Sequence, residues 1–274
     1  LSARVERLRR WGYAAELIGA ERASVLAPDL KLPASATIAY FPEEGWVAVP
    51  VLIHALLEAA ARDGVRIVFP APVDALAVQD GRVVGARVGE RVYEADVVID
   101  CSGPRAGCLV EPLGLSIARQ RSPGILAISE PLPTCLAPVV HFATAGVYFR
   151  PDGAGRIRIG SEEIDSALPA DDAAVREAAS PGSAQADELL ERARSVFPPL
   201  AGARLEAVRL GWRALPGDGF SAVGPVPGLA GYYLVFTHSG VTLGPLLGRL
   251  VADELQGTPA DLLAEFRPDR LVVR

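Results

Sequence analysis

The stretch FTHSGVTLGPLLGRLVADEL, Phe236–Leu255, decides how the rest of the chain is read. An apolar strand end, Leu234 to Phe236, enters a polar turn. Beyond it, Leu243, Leu246, Leu247, Leu250, Val251 and Leu255 fall at helical spacing on one side. Gly244, Gly248 and Ala252 make a second stripe at four-residue intervals, which leaves one flank of the helix without bulk. The first N–H groups of a helix have no acceptor within it and sit at the positive end of its dipole, so such a turn is a ready anion site. An αβ connection packed for its own sake is the alternative, and these residues alone leave both open.

The 274 residues are enough for a full core in one large domain or two intertwined ones. With 50% hydrophobic and 22% charged residues the composition is globular, and a net charge of -6 offers no basic face for nucleic acid. No apolar run reaches the ~18 residues of a membrane-spanning helix; His54, His238 and Arg249 interrupt the most apolar stretches. Cys101, Cys108 and Cys135 are too few and too irregular for a disulfide framework. With no CxxC pair or Cys/His cluster, no metal site is expected, and the cysteine usage favours a reducing compartment, the cytoplasm. Met and Asn are absent and Lys31 is the only lysine, a bias of coding composition rather than a physical adaptation. The opening LSARVERLRRWGY reads as the middle of a helix bundle or linker, neither a signal peptide nor a start.

The pattern along the chain is α/β at both ends with antiparallel β between them. Pro50 followed by VLIHALLEAAARDG predicts a helix that Gly64 stops, and VRIVF, Val65–Phe69, predicts a strand. From Val73 onward three short alternating strands are expected, with turns at Asp80-Gly81 and Gly89-Glu90. The solid apolar run Val97 to Ile99 reads as a parallel strand buried on both faces. Residues 117–160 supply GILAISE, PVVHFA, GVYFRP and RIRIGSEE, with a hairpin turn at PDGAG. Residues 165–190, rich in Ala, Asp, Glu, Ser and Pro, read as a surface connection before a helix ending near Phe197. From Arg204 the chain returns to strand, turn, strand and helix.

Five segments in order carry a resemblance: YFPEEGWVAVPVLIHALLEAAARDG, ADVVIDCSG, GVYFRPDGAGRIRIGSEE, GWRALPGDGFSAVGPVPG and HSGVTLGPLLGRLVADELQG. Together they resemble the FAD-dependent D-amino-acid oxidase superfamily, which includes glycine oxidase, sarcosine oxidase and D-amino-acid dehydrogenases. The resemblance implies an α/β fold with an FAD-binding, Rossmann-like domain over 1–115 and 205–274, and an inserted antiparallel β-sheet substrate domain over 116–204. Members of the superfamily begin with a strand, a GxGxxG turn and a helix that hold the FAD pyrophosphate. Here Gly153-x-Gly155 and Gly217-x-Gly219 are the nearest candidates, and both lack the third glycine. The sequence is therefore expected to correspond to the last two-thirds of such an enzyme, the dinucleotide half preceding it or coming from a second subunit.

The same resemblance implies the site. Backbone N–H groups around Ser239, Gly240, Val241, Thr242 and Leu243 would face the pyrimidine edge of the flavin, and Ser102-Gly103 would let the chain pass close to it. The family has an aromatic soon after this glycine, where this chain has Pro104-Arg105. Val73 matches a backbone contact to adenine. Arg213 and Tyr148 match a pair that clamps an amino-acid carboxylate beside the flavin, the first by bidentate guanidinium contacts and the second by a phenol donor. A surface salt bridge for Arg213 and cross-strand packing for Tyr148 are the plainer alternatives. Arg150 shares Tyr148's strand face and either recognises a second acidic group or is solvated. His238 is the one titratable candidate beside the turn, for catalysis, flavin tuning or a structural hydrogen bond. None of the three cysteines stands where the family attaches flavin covalently. The expected activity is FAD-dependent oxidation of the C–N bond of a small amino acid or N-methyl amino acid, with a carboxylate-bearing amine as substrate. A 2-hydroxy-acid oxidoreductase of the same fold, and a non-catalytic chain that binds a partner, are the alternatives.

Overall fold

The computed structural model describes residues 1–134 and 136–273. Cys135 lies outside them. The chain forms two compact units, Leu1–Leu52 with Pro123–Gly211, and Ile53–Ser122 with Trp212–Arg274.

The first unit is built on a five-stranded sheet in the order Val140–Phe142, Val147–Pro151, Ile157–Gly160, Pro123–Ser129, Leu205–Trp212. Alternation sorts its two faces. Val147, Phe149, Ile157 and Ile159 point to one side and are fully buried with Leu189, Ala193 and Val196 of the helix Ala184–Val196. Phe149 and Phe197 close this core with ring centroids 5.3 Å apart. Tyr148, Arg150 and Arg158 occupy the alternate positions. The connection expected over 165–190 contains a further helix, Asp172–Ala178, which buries Val175 and Ala178. Its start is set by Asp171, whose carboxylate accepts the Ala174 N–H at 2.9 Å, and the next helix by Ser183, whose hydroxyl accepts from Ala186 at 3.1 Å. Residues 1–52 group with this sheet, not with the half expected to bind the dinucleotide. Ala27 enters the core, the Lys31 N–H donates to the Val196 carbonyl at 2.9 Å, and Thr134 donates to Asp29 at 2.8 Å.

The second unit holds two three-stranded sheets. One is the expected meander, Ala75–Gln79, Arg82–Val88 and Arg91–Glu94. Asp80 and Gly81 both have positive φ, as a tight two-residue hairpin turn requires. The other sheet sets Tyr232–Phe236 between antiparallel Ala222–Pro225 and parallel Val98–Asp100, with Tyr232 opposite Val98 and Leu234 opposite Asp100. The sheets meet where the Val83 N–H donates to the Ala230 carbonyl at 2.8 Å. A Cβ on Gly231 would lie 2.2 Å from the Val83 oxygen, so this approach needs glycine.

Two strand expectations are corrected. Val65–Phe69 forms no strand, since among the described residues nothing pairs with it, and a strand is defined by the ladder it shares. Val98–Asp100 is parallel as expected but among the described residues is paired on one side only, and Ile99 stays 42% exposed. The helix Val49–Arg62 forms where Pro50 and the periodicity place it, yet none of its residues is buried.

The helix Gly240–Leu255 buries Leu247 and Val251 against Val223, Tyr233 and Leu263. Near its end Glu254 accepts two bonds from the Arg267 guanidinium, at 2.5 and 3.0 Å, and one from the Tyr233 hydroxyl. The Arg267 bonds, with the Tyr233 bond adding to them, hold the Glu254 carboxyl below its ordinary range against the opposing effect of burial. A depressed carboxyl pKa contributes stability that is fully present above the unfolded value and is lost as pH falls through the folded one. Glu254→Gln is therefore expected to cost about 1–2 kcal/mol at neutral pH. The difference should vanish in strong acid, read as the gap between wild-type and variant unfolding midpoints across a pH series.

Candidate active site

The parallel pair Val98–Asp100 and Tyr232–Phe236 brings two turns to one edge of the sheet, because both strands run the same way and both end there. In open α/β sheets this carboxyl edge is where ligands bind. After the first strand come Ser102 and Gly103; after the second come His238, Ser239 and the helix from Gly240.

Asp100 organises the first turn. It is 4% exposed, and its carboxylate accepts the Ser102 N–H at 2.8 Å, the Gly107 N–H at 3.0 Å and the Tyr232 hydroxyl at 2.5 Å. Burial first, and then this bond, raise the Tyr232 pKa, so the phenol stays a donor. Gly103 follows at φ +64, in the left-handed region, and carries the chain into a short helical turn, Gly103–Arg105. A Cβ there would meet only the Ala214 side chain, at 3.9 Å, so the chain just beyond Arg213 runs alongside this turn.

The second turn is braced by hydroxyls. Thr237 Oγ1 lies 2.7 Å from Ser221 Oγ and accepts the Ser239 N–H at 3.2 Å. The helical ladder starts with Leu243 donating to the Ser239 carbonyl at 2.8 Å, which leaves the N–H groups of Gly240, Val241 and Thr242 ahead of it. Val241 and Thr242 are exposed, and a Cβ built at Gly240, Gly244 or Gly248 meets nothing within 4 Å. The small flank of this helix is open in the described residues. His238 is exposed in the turn.

Arg213 is half-buried between the strands Leu205–Trp212 and Leu215–Pro216, and its N–H donates to the Ser122 carbonyl at 2.8 Å. Beside it Trp212 stacks under the Arg121 guanidinium, 5.0 Å from ring to cation. Val73 lies just before the first meander strand and is 41% exposed. The second unit thus gathers Ser102, Gly103 and Ser239–Leu243 at one sheet edge, with Arg213 close to Gly103 in the chain path.

Tyr148 belongs to the other unit. It stands opposite Gly160 in the strand pair, where a Cβ would come within 2.5 Å of its ring, so the phenol lies across a glycine. His141 meets it edge-on at 6.4 Å.

Sequence reasoning missed Asp100. The signal was a lone carboxylate in an otherwise apolar strand, directly before a turn of small residues. Cys101 and Cys108 are free, and among the described residues no three His, Cys, Asp or Glu side chains are gathered to hold a metal. No described helix is long and apolar enough to cross a membrane.

Residues 1–254 match the family described as FAD dependent oxidoreductase (DAO). The chain belongs to that family. Among curated proteins it is 29% identical over 243 residues to the glycine oxidase of Geobacillus kaustophilus (strain HTA426), covering 86% of this chain and 61% of that protein. The chain therefore spans about three-fifths of that relative's length. The crystal structure of glycine oxidase from Geobacillus kaustophilus superposes with a TM-score of 0.79 at 25% identity, over 98% of this chain and 70% of the other. That of L-proline dehydrogenase from P. horikoshii gives 0.80 at 18% identity, over 97% and 71%. The fold is thus the mixed α/β fold of FAD-dependent oxidases, and the cofactor of the family is FAD. The residues present fit part of that cofactor. An open helix start and a glycine-bearing strand end at one carboxyl edge suit its ring system. No GxGxxG turn for the pyrophosphate occurs in these 274 residues.

Proposed function

We propose that the chain forms the flavin-facing and substrate-binding part of an oxidoreductase that oxidises the C–N bond of a small amino acid or N-methyl amino acid. The observation that carries this reading is the pairing of the Ser102-Gly103 turn with the open helix start at Gly240, both at the carboxyl edge of adjacent parallel strands. FAD, when bound, supplies the two-electron acceptor. In the turn Ser239–Leu243, the N–H groups of Gly240, Val241 and Thr242 offer a positive helix end to negative charge on the cofactor, worth roughly 0.5–2 kcal/mol. Ser102 and Gly103 admit the ring at close range, and the Val73 backbone serves the adenine end. Arg213 in its unit serves as a guanidinium donor for a substrate carboxylate, which fixes the Cα–H direction, Tyr148 in its own unit serves as a phenol donor for a carboxylate, and His238 tunes the turn. Ile53–Ser122 and Trp212–Arg274 then serve the dinucleotide, and Leu1–Leu52 with Pro123–Gly211 the substrate. The sparse cysteines support a cytoplasmic setting.

Two measurements test this. In the FAD-loaded enzyme without oxygen, glycine, sarcosine or D-alanine should bleach the oxidised-flavin band. Bleaching by glycolate or lactate alone would move the assignment to hydroxy-acid oxidation, and a bound flavin that no substrate reduces would leave a binding protein. Gly240→Val supplies the second. A Cβ at Gly240 meets nothing within 4 Å among the described residues and its φ is not left-handed, so stability should hold. FAD affinity should fall on the order of tenfold, as crowding of a helix start against the cofactor predicts. Unchanged affinity on titration would remove the flavin from this turn.

A further inference from the structure

On the sheet face opposite the hydrophobic core, the pairing of Val147–Pro151 with Ile157–Gly160 sets Arg150 directly across from Arg158, and Tyr148 across from Gly160. Two guanidinium groups share one carboxylate there. Asp152 is 2.8 Å from Arg158 Nη2 and 3.5 Å from Arg150 Nη1, and Arg150 Nη1 also donates to the Pro151 carbonyl at 2.6 Å. The cluster is sheltered, with side chains 21% exposed for Arg150, 32% for Arg158 and 16% for Asp152. Trp46 covers it, with its ring 4.9 Å from the Arg150 guanidinium. Stacking of this kind leaves the edge of a guanidinium directed outward in its own plane.

Two features mark the cluster as built for a further anion. Its charge is unbalanced by one positive unit. Burial first, and then repulsion from Arg158, lower the Arg150 pKa, with Asp152 only partly offsetting them. Arg158 Nε is also the buried side-chain nitrogen that has no hydrogen-bond partner among the described residues. Folded proteins leave few such donors unsatisfied. Nε lies on the guanidinium edge whose other donor, Nη2, reaches Asp152, and that edge is the one that recognises carboxylates in parallel pairs.

We propose that Arg150 and Arg158, with Trp46 over them, form an anion subsite that takes a second carboxylate of the amine substrate. The enzyme then prefers an amino diacid to a neutral amino acid. The inference rests on the amine-oxidising reading above and deepens it. Residues two apart on a strand stand about 7 Å from one another. A five-carbon amino diacid held at one end by Tyr148 therefore brings its far carboxylate to the arginine pair.

Glutamate and norvaline share a five-carbon chain and differ in a terminal carboxylate against a methyl group. Titrated as racemates into the FAD-loaded enzyme by calorimetry, glutamate should bind at least about tenfold more tightly, the effect of one charge-assisted bond or more. Arg158→Leu should erase that preference and Arg158→Lys keep part of it, since lysine retains the charge without the fork. Arg150→Leu supplies an independent variant should Arg158→Leu fail to fold, as judged by circular dichroism. Equal affinity for the two ligands, or a preference that survives both leucine variants, would overturn the proposal. Inorganic phosphate binding more tightly than glutamate would reassign the pair to a phosphorylated ligand and overturn it as well. Binding needs no turnover, so this outcome is independent of whether amines bleach the flavin.

Discussion

Arg213→Ala is expected to lower kcat/KM for an amino-acid substrate by on the order of 10- to 1000-fold in the FAD-loaded enzyme, with Arg213→Lys falling between. Hydrogen bonds to a charged group contribute roughly 1.5–3 kcal/mol each, and a guanidinium presents two side by side where an ammonium presents a point charge. Because the carboxylate also directs the Cα–H, part of the loss should fall on kcat and not on KM alone. The control is the decarboxylated amine, which has nothing for the fork to grip. Steady-state kinetics on the amino acid and on that amine separate the roles. Equal losses on both substrates would show that Arg213 supports the fold or the flavin, in keeping with its half-buried place and its backbone bond to Ser122.

The second large effect is on stability. Asp100→Ala is expected to cost about 3–5 kcal/mol, because it strips the acceptor from three donors at once, each left unmet at roughly 1–3 kcal/mol. Those donors are the N–H groups of Ser102 and Gly107 and the Tyr232 hydroxyl. Tyr232→Phe removes a single donor and should cost less. The double variant should fall well short of the sum of the two, since Tyr232 and Asp100 are partners. Chemical denaturation of the four proteins reads this directly. Additive losses would show that the pair is not coupled. FAD affinity should fall along with stability in Asp100→Ala, because the carboxylate holds the turn that carries Gly103.

Much of the fold was legible in the sequence because it is written in local periodicity and turn chemistry. The helix Val49–Arg62 follows from Pro50 and an apolar repeat, and the meander turn from Asp80-Gly81. The strand face of Tyr148 and Arg150 follows from simple alternation, and the helix Gly240–Leu255 from its leucine spacing. The order of five short segments was enough for the family. Of the candidate site, the two turns could be read, since small residues at a strand end and a polar helix start announce themselves within a few positions.

What the tertiary structure decided was every feature that depends on a partner distant in sequence. Asp100 reads as a blemish in an apolar strand until Tyr232, 132 positions away, is seen to donate to it. Gly231 is an ordinary turn glycine until the Val83 carbonyl is found where its Cβ would be. Arg158 acquires meaning only when strand pairing sets it across from Arg150 and one carboxylate proves to serve both. Val65–Phe69 has the composition of a strand and Ile99 that of a core residue, yet the first finds no ladder among the described residues and the second stays half in solvent. Propensity acts through a residue's own backbone and its near neighbours, whereas pairing, burial and the satisfaction of buried charge depend on which surfaces the folded chain brings together.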